Sequence, residues 1–146
     1  MHRMTATRQI DAPVSEVFDC VSSIDNFSKA VGDIVKVEFT SEVRRGVGAK
    51  FLETRRMGKR EATVELEVTE YVENDRIRLV SDAGGTVWDS VFTTKESAGG
   101  TELSLVMDAK PHKFLAKIFT PMIKGMVQKG VEKDMDSVKS YCERGA

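Results

Sequence analysis

The chain has 146 residues, of which 40% are hydrophobic and 31% charged, and its formal net charge at pH 7 is -1. This composition is typical of a globular protein with a hydrophobic core, it indicates no basic surface for nucleic acid, and residues 1–146 are predicted to form a single domain. No apolar run approaches the roughly 20 residues of a bilayer span, and residues 1–10 lack the apolar centre of a signal peptide, so we expect a cytoplasmic protein without an integral membrane segment.

The N-terminal part of the chain is predicted to fold as one strand followed by two short helices. Arg3 to Ile10 is the strand. Pro13 suits a first helical turn, and the segment after it carries apolar residues at helical spacing, namely Val14, Val17, Phe18 and Val21. The second helix is predicted to begin near Asp25, a good capping residue, and to end before Gly32.

From Ile34 onward, the apolar period changes from 3.6 residues to two. Six short strands follow one another, separated by turns rich in Gly, Asn and Asp: VKVEF, GAKFLETRRM, ATVELEVTEY, RIRLVS, TVWDSVFTT and TELSLVMDA. Short turns of this kind predict antiparallel pairing between neighbours, and the first strand brings the total to seven. The alternation indicates one buried and one solvent-facing side, so Asp89, next to Trp88, is predicted to be exposed.

The C-terminal region from Lys113 to about Glu143 is the only helical segment long enough to cover the sheet. Pro is preferred at the first position of a helix and is costly inside one, which favours a main helix that begins at Thr120 with Pro121 next. The segment Lys113–Phe119 is then predicted to be a separate turn or short helix, angled against the main one.

The order of these elements, together with several sequence motifs, resembles one branch of a known superfamily. The motifs are IDAPVSEVFDCVSSIDNFSKA, GVGAKF, VTEYVENDRIRL, GGTELSL and PMIKGMVQKGVEKDMDSVKSYCE. They are similar to those of the polyketide cyclase/dehydrase-like branch of the START-like (SRPBCC) superfamily, over nearly the whole chain. The resemblance implies an α+β helix-grip fold, in which a seven-stranded antiparallel curved sheet wraps around a long C-terminal helix. It also implies an apolar cavity between sheet and helix, used for lipids, polyketides and other hydrophobic molecules.

The C-terminal helix carries more apolar surface than one contact with a sheet requires. One stripe consists of Ile123, Val127, Val131, Met135, Val138 and Cys142. A second set, confined to the front half, consists of Phe114, Ile118, Met122 and Met126. This surplus could pack on the first helix, contact a second subunit, or line a cavity. The adaptable methionine side chains and the family resemblance favour the cavity.

The strands supply further candidates for the cavity wall. Aromatic side chains are expected to form the walls, and Leu66 and Leu79 to lie further in. If Phe51 points inward, Glu53 and Arg55 point inward too and provide a charged pair that orients a polar group of the ligand; otherwise both are surface groups. The complete set of predicted ligand-binding residues is Phe39, Phe51, Glu53, Arg55, Leu66, Leu79, Trp88, Phe92, Phe114, Ile118, Met122 and Met126.

No catalytic motif, metal site or cofactor site is identified in the sequence. There is no convincing Ser-His-Asp set and no glycine-rich phosphate loop, and His2 and His112 cannot form a metal site unaided. Cys20 and Cys142 are expected to be buried, reduced thiols.

Three functions remain open. The first is binding or transport of a small hydrophobic molecule. The second is a cyclase or dehydratase activity in which Glu53 or Arg55 assists the reaction. The third is a protein–protein regulatory module, in which Lys113, Lys117 and Lys124 meet an acidic partner or make a weak contact with a membrane surface. The sequence is compatible with a monomer or a homodimer.

Overall fold

A computed structural model describes residues 1–144 and contains seven strands and three helices. In chain order they are β1 (His2–Ile10), α1 (Val14–Ser22), α2 (Ile24–Ala30), β2 (Ile34–Phe39), β3 (Lys50–Met57), β4 (Arg60–Val72), β5 (Arg76–Ala83), β6 (Thr86–Ser97), β7 (Gly100–Pro111) and α3 (Phe114–Arg144). The predicted element types and their order are confirmed. No helix within residues 1–144 combines the length and the hydropathy that a transmembrane span requires.

All seven strands form one antiparallel sheet in the order β1-β7-β6-β5-β4-β3-β2. Strands β2 to β7 are therefore neighbours in sequence as well as in space, as their short turns predicted. Strand β1 forms one edge of the sheet and pairs with β7, from His2 opposite Ala109 to Ile10 opposite Thr101. Register shifts in β2 and β4 add irregularities of the kind that bend a strand. The resulting curved sheet wraps around α3, which is the helix-grip fold.

Glycine is required at two positions where the chain is tightly constrained. Gly58 has a φ of 66° in the two-residue turn between Met57 and Arg60, a backbone conformation that other residues rarely adopt. At Gly100, a side chain would collide with the backbone carbonyl of Ile10. This close approach allows the start of β7 to lie directly against the end of β1.

Helix α3 is continuous from Phe114, so the prediction of a separate segment before Thr120 is wrong. Pro121 lies inside the helix and lacks the N–H that would bond to the carbonyl of Lys117. Tertiary contacts hold the helix together across this gap. Thr120 is only 4% exposed, and its hydroxyl lies 3.1 Å from the hydroxyl of Thr86 at the start of β6. The chain just before the helix is also fixed, because the N–H of Lys113 donates to the carbonyl of Gly85.

The hydrophobic core extends from α1 and α2 across strands β4 to β7, and α3 joins it at the β1–β7 side of the sheet. There, α3 packs on β1, β7 and α1 through the stripe that the sequence predicted, and Val131, Met135, Val138 and Cys142 are buried. The thiol of Cys142 contacts that of Cys20 on α1, and this contact together with burial raises the pKa of Cys20. Because α3 is anchored to one side of the sheet, space remains between it and strands β3 to β6.

Asp89 is buried on the outer face of the sheet, so the prediction that it is exposed is wrong. The alternation placed it on the correct face, but the side chains of Arg78 and Lys110 cover it and leave it 7% exposed. Arg78 Nε donates to its carboxylate at 2.8 Å, and Lys110 Nζ donates at 3.2 Å. The hydrogen bonds from Arg78 are the main reason why the pKa of Asp89 is lowered, and Lys110 lowers it further.

Candidate ligand cavity

A cavity of about 830 Å³ lies between the concave face of the sheet and the middle turns of α3. Its volume falls in the range of about 300–1,000 Å³ that is typical of small-molecule sites. Residues of α1 and α2 close it on one side, and α3 contributes the segment from Met126 to Asp134. The strands supply mainly large apolar side chains to its wall, including Phe39, Phe51, Leu66, Leu79, Trp88, Phe92, Leu105 and Met107.

The register of the sheet explains why these side chains meet. Residues opposite each other in an antiparallel pair point to the same face. Phe51 lies opposite both Phe39 on β2 and Leu66 on β4, and the rings of Phe39 and Phe51 are 6.0 Å apart in an edge-to-face arrangement. Phe92 lies opposite Leu105 in the same way. The apolar wall is therefore a set of cross-strand rows on the buried face.

Most of the residues predicted to bind ligand line this cavity. They are Phe39, Phe51, Glu53, Arg55, Leu66, Leu79, Trp88, Phe92 and Met126. Their contact with a ligand stays a prediction.

Phe114, Ile118 and Met122 do not line the cavity, which corrects their expected placement. They are 75%, 46% and 72% exposed, because they lie on the side of α3 that faces away from the buried Ala116 and Thr120. Only Met126, one further step of four residues along this stripe, reaches the cavity. The surplus apolar surface that the sequence revealed therefore faces solvent, and its front end neither packs on α1 nor lines the cavity.

A charged cluster occupies one part of the mainly apolar wall. Phe51 points inward, so Glu53 and Arg55 on the same strand point inward as well, which resolves the alternative left open by the sequence. Arg55 Nη1 donates to both carboxylate oxygens of Asp134 on α3, at 3.0 and 2.9 Å. Arg55 Nη2 lies 3.4 Å from a carboxylate oxygen of Glu53. We call Glu53, Arg55 and Asp134 the floor cluster.

The floor cluster has two carboxyl groups for one guanidinium, in a largely dehydrated position. Burial raises the pKa of Glu53 and also that of Asp134, and the positive charge of Arg55 offsets only part of this effect. Burial opposes the charge on Arg55, but the two carboxylates outweigh it and raise the pKa of Arg55. A cluster of this composition can hold a proton on a carboxyl group and can both donate and accept hydrogen bonds.

Several polar residues of the wall were not anticipated, among them Asp134 and Ser81. Asp134 follows Val127 and Val131 at helical spacing, so a carboxylate on the buried face of α3 was a detectable signal in the sequence. Ser81 on β5 is 6% exposed, and its hydroxyl has no hydrogen-bond partner among residues 1–144. An unsatisfied buried hydroxyl is uncommon in proteins, and this one lies on the cavity wall.

A metal centre is not apparent in the part of the chain that the structure describes. Within residues 1–144, no three His, Cys, Asp or Glu side chains are grouped so that they could hold a metal ion. The cavity offers the floor cluster and a few hydroxyl groups within a mainly apolar wall, and further charged residues also line it, namely Asp33, Arg44, Arg45, Arg56 and Lys133.

A curved seven-stranded sheet around one long helix, with an apolar cavity between them, defines the helix-grip class of the START-like superfamily. The chain belongs to the family described as "Polyketide cyclase / dehydrase and lipid transport", whose sequence profile matches residues 1–143. A comparison with curated protein sequences finds no significant match.

Several solved structures share this fold, and the similarity extends over almost the whole chain. TTHA0849 from Thermus thermophilus is 15% identical, with a TM-score of 0.77 and 94% of each chain covered. Ara h 8.0201 is 13% identical, with a TM-score of 0.75 and 97% of each chain covered. The di-domain ARO/CYC BexL from the BE-7585A biosynthetic pathway is 15% identical, with a TM-score of 0.78; the match covers 97% of this chain and 50% of BexL. At sequence identities this low, the structural similarity establishes a common fold and nothing more specific.

Proposed function

We propose that this protein binds, and carries, a small and mainly apolar molecule that has a polar group at one end. The observation that carries the proposal is the cavity of about 830 Å³, with apolar walls on the strands and the floor cluster on one side. Apolar walls with a few convergent polar groups are the usual composition of small-molecule sites. The family to which the chain belongs supports a ligand of this kind.

A cavity of this size cannot be a dry void. An empty core cavity costs roughly 24 cal/mol per Å³, so a dry void of this volume would cost about 20 kcal/mol. That figure exceeds the total stability of about 5–15 kcal/mol of an ordinary domain. The cavity must therefore hold water, a ligand or both. A ligand that displaces water from apolar walls gains free energy from the burial of its own apolar surface.

The polar groups of the wall indicate the chemistry of the ligand's polar end. Glu53 in its protonated form donates a hydrogen bond, whereas Asp134 and the ionised form of Glu53 accept one. A hydroxyl or a carbonyl group satisfies such a cluster without adding a charge. The hydroxyl of Ser81 provides a second polar position on the wall.

Native mass spectrometry of the freshly purified protein, followed by extraction and analysis of the bound molecule, tests this proposal. Apolar fluorescent probes that enter the cavity should also raise the melting temperature. Leu66→Trp, which fills part of the cavity, should weaken probe binding. Leu52→Trp on the opposite face of the sheet is the matched control and should leave it unchanged. A protein that is always empty, and whose melting temperature no apolar probe shifts, would exclude a carrier function.

A second candidate function is that of a cyclase or dehydratase, and one observation favours it. Glu53 is a carboxyl group inside the cavity whose pKa is raised by burial, and a shift in this direction favours a role as general acid or base. In such a reaction a base removes a proton from a carbon between two carbonyl groups. The resulting enolate attacks another carbonyl of the same chain, and an acid protonates the oxygen of that carbonyl. Arg55 is placed to stabilise the negative charge of the enolate.

The enzymatic candidate is tested with a reactive poly-β-ketone chain and product analysis by liquid chromatography and mass spectrometry. Glu53→Gln should abolish cyclised or dehydrated products while the thermal shift caused by probe binding persists. A product profile identical to that of the spontaneous reaction without protein would rule out catalysis and leave the carrier function standing.

A further inference from the structure

Six large apolar side chains on the front half of α3 are exposed to solvent. They form two neighbouring rows, one with a spacing of four residues from Phe114 to Met126 and one of Leu115 and Phe119, which together cover less than half of the helix surface. Their exposed fractions range from 46% to 75%. We call them the α3 apolar face: Phe114, Leu115, Ile118, Phe119, Met122 and Met126. Single exposed apolar residues are ordinary on protein surfaces, but a contiguous group of this size marks an interaction surface.

The same stretch of chain is strongly basic. Between Ala109 and Val131 there are five lysines and neither Asp nor Glu, in a protein whose net charge is -1. Lys110 is paired with Asp89 on the outer face of the sheet. The other four lysines form no ion pair with any residue of the described chain: Lys113, Lys117, Lys124 and Lys129.

The hairpin between β3 and β4 repeats this combination next to the cavity. Met57 is 54% exposed, and the residues around it are Arg56, Lys59 and Arg60. None of these three cations is ion-paired within residues 1–144. Met57 and Met126 both line the cavity and both are mostly exposed, so they mark its rim. The rim therefore has exposed apolar groups and free cations on two separate elements.

We propose that this side of the protein docks onto the surface of an anionic lipid bilayer. The α3 apolar face enters the boundary between headgroups and acyl chains, while the lysines toward one edge of this face and the hairpin cations contact lipid phosphates. Apolar helix faces flanked by Lys and Arg bind membranes in this way, through buried apolar area and attraction to anionic lipids together. Docking in this orientation places the rim of the cavity against the bilayer.

Charge distinguishes a bilayer from a second copy of the chain as the occupant. A two-fold dimer through the α3 apolar face would bring the same surface of both copies together. Each copy would then bring to the interface a stretch with four lysines that are unpaired within the described chain and neither Asp nor Glu, and like charges that meet at an interface are unfavourable. An anionic bilayer instead complements both the apolar groups and the cations.

Co-sedimentation of the full chain with lipid vesicles tests the proposal, and the assay needs no knowledge of what the cavity binds. We expect binding to vesicles of phosphatidylcholine mixed with phosphatidylglycerol, weak or no binding to pure phosphatidylcholine, and a loss of binding as salt is raised. The double variant Lys117→Glu/Lys124→Glu should lower the partition coefficient by more than about tenfold, since each basic residue near an anionic surface contributes a factor of about five. Ile118→Asp/Met122→Glu should abolish binding.

The matched controls change residues of the same types elsewhere on the surface. Val72→Glu and Lys95→Glu alter an exposed apolar residue and an exposed lysine that lie neither on α3 nor on the cavity wall, and both should bind as the unchanged protein does. Circular dichroism verifies the fold of every variant. Equal binding to both types of vesicle, or an equal loss in the controls, would overturn the proposal. A dimer in sedimentation velocity that Met122→Glu dissociates, combined with no vesicle binding, would also overturn it and assign the face to a second copy. These outcomes leave the proposed carrier function untouched, because that function is measured by ligand content and thermal shift.

Discussion

Arg55 on β3 and Asp134 on α3 form an ion pair that links the sheet to the long helix across the cavity, 79 residues apart in sequence. Arg55 Nη1 lies 3.0 and 2.9 Å from the two carboxylate oxygens. The core packing of α3 is on β1, β7 and α1, at the other side of the sheet. A polar link on the cavity side keeps helix and sheet together there while leaving the intervening space unfilled by apolar side chains.

Arg55→Met should destabilise the protein by about 3 kcal/mol at neutral pH. The substitution leaves the carboxyl groups of Glu53 and Asp134 buried without a cation, and removal of one partner from a buried ion pair is strongly destabilising. Urea unfolding at pH 7 measures the change. Arg56→Met, at the exposed neighbouring position, is the control and should change the free energy of unfolding by less than about 0.5 kcal/mol. Equal effects at the two positions would contradict the structural role assigned to Arg55.

Glu53→Gln should change how the stability of the protein depends on pH. Burial raises the pKa of Glu53 in the folded state, so that state retains a proton at pH values where the unfolded chain has lost it. The stabilisation from this proton is complete below the unfolded pKa of about 4.3 and is lost as the pH rises through the folded value. Gln does not ionise, so the variant should avoid this loss.

Urea unfolding between acidic and neutral pH checks this behaviour. The difference in stability between the variant and the unchanged protein should shift in favour of Glu53→Gln as the pH rises. Glu61→Gln, on the exposed part of the next strand, is the matched control. If the free energy of unfolding depends on pH in the same way for Glu53→Gln and for the unchanged protein, burial does not govern the pKa of Glu53.

Asp89→Asn should have the opposite dependence on pH. Hydrogen bonds from Arg78, together with Lys110, lower the pKa of Asp89 in the folded state. Its contribution is therefore fully present above the unfolded pKa of about 3.9 and is lost as the pH falls through the folded value. Hydrogen bonds to charged groups contribute about 1.5–3 kcal/mol, so the variant should lose about 2 kcal/mol at neutral pH.

The stability lost in Asp89→Asn should diminish as the solution is made more acidic. Urea unfolding at several pH values measures this change. Glu96→Gln at an exposed position of the same strand is the control. A loss that stays constant into acid would mean that packing, rather than charge, stabilises this site.

The strands and their order were predictable because alternation and turn residues are local signals. Alternation also established that Phe51, Glu53 and Arg55 share one face, but not which face is buried, since that depends on how the whole sheet curves. Asp134 could be found only by reading the buried stripe of α3 for polar exceptions. The wrong start of α3 has a similar cause: the local preference of Pro121 for a first turn is outweighed by contacts such as that between Thr86 and Thr120.

The surplus apolar surface of α3 shows a further limit of prediction from sequence. Counting apolar residues correctly revealed that the front half of the helix carries more of them than packing on the sheet requires. The count cannot distinguish a cavity wall from a solvent-exposed face, because both place apolar groups beside the buried stripe. That distinction depends on the angle at which α3 crosses the sheet, which is set by its contacts with β1, β7 and α1.

Pro121→Ala should stabilise the protein by about 1–2 kcal/mol. Alanine restores the N–H that can donate to the carbonyl of Lys117; a proline inside a helix costs about 3 kcal/mol, part of which is offset because proline also restricts the unfolded chain. Gly125→Ala is a matched change in the same half of α3, since a side chain at Gly125 meets no atom within 4 Å, and it should stabilise by about 1 kcal/mol. Urea unfolding of both variants, with circular dichroism for helix content, measures the effects. If Gly125→Ala stabilises but Pro121→Ala destabilises, Pro121 itself is required for the Thr86–Thr120 contact, and the tertiary fit of this turn outweighs the restored hydrogen bond.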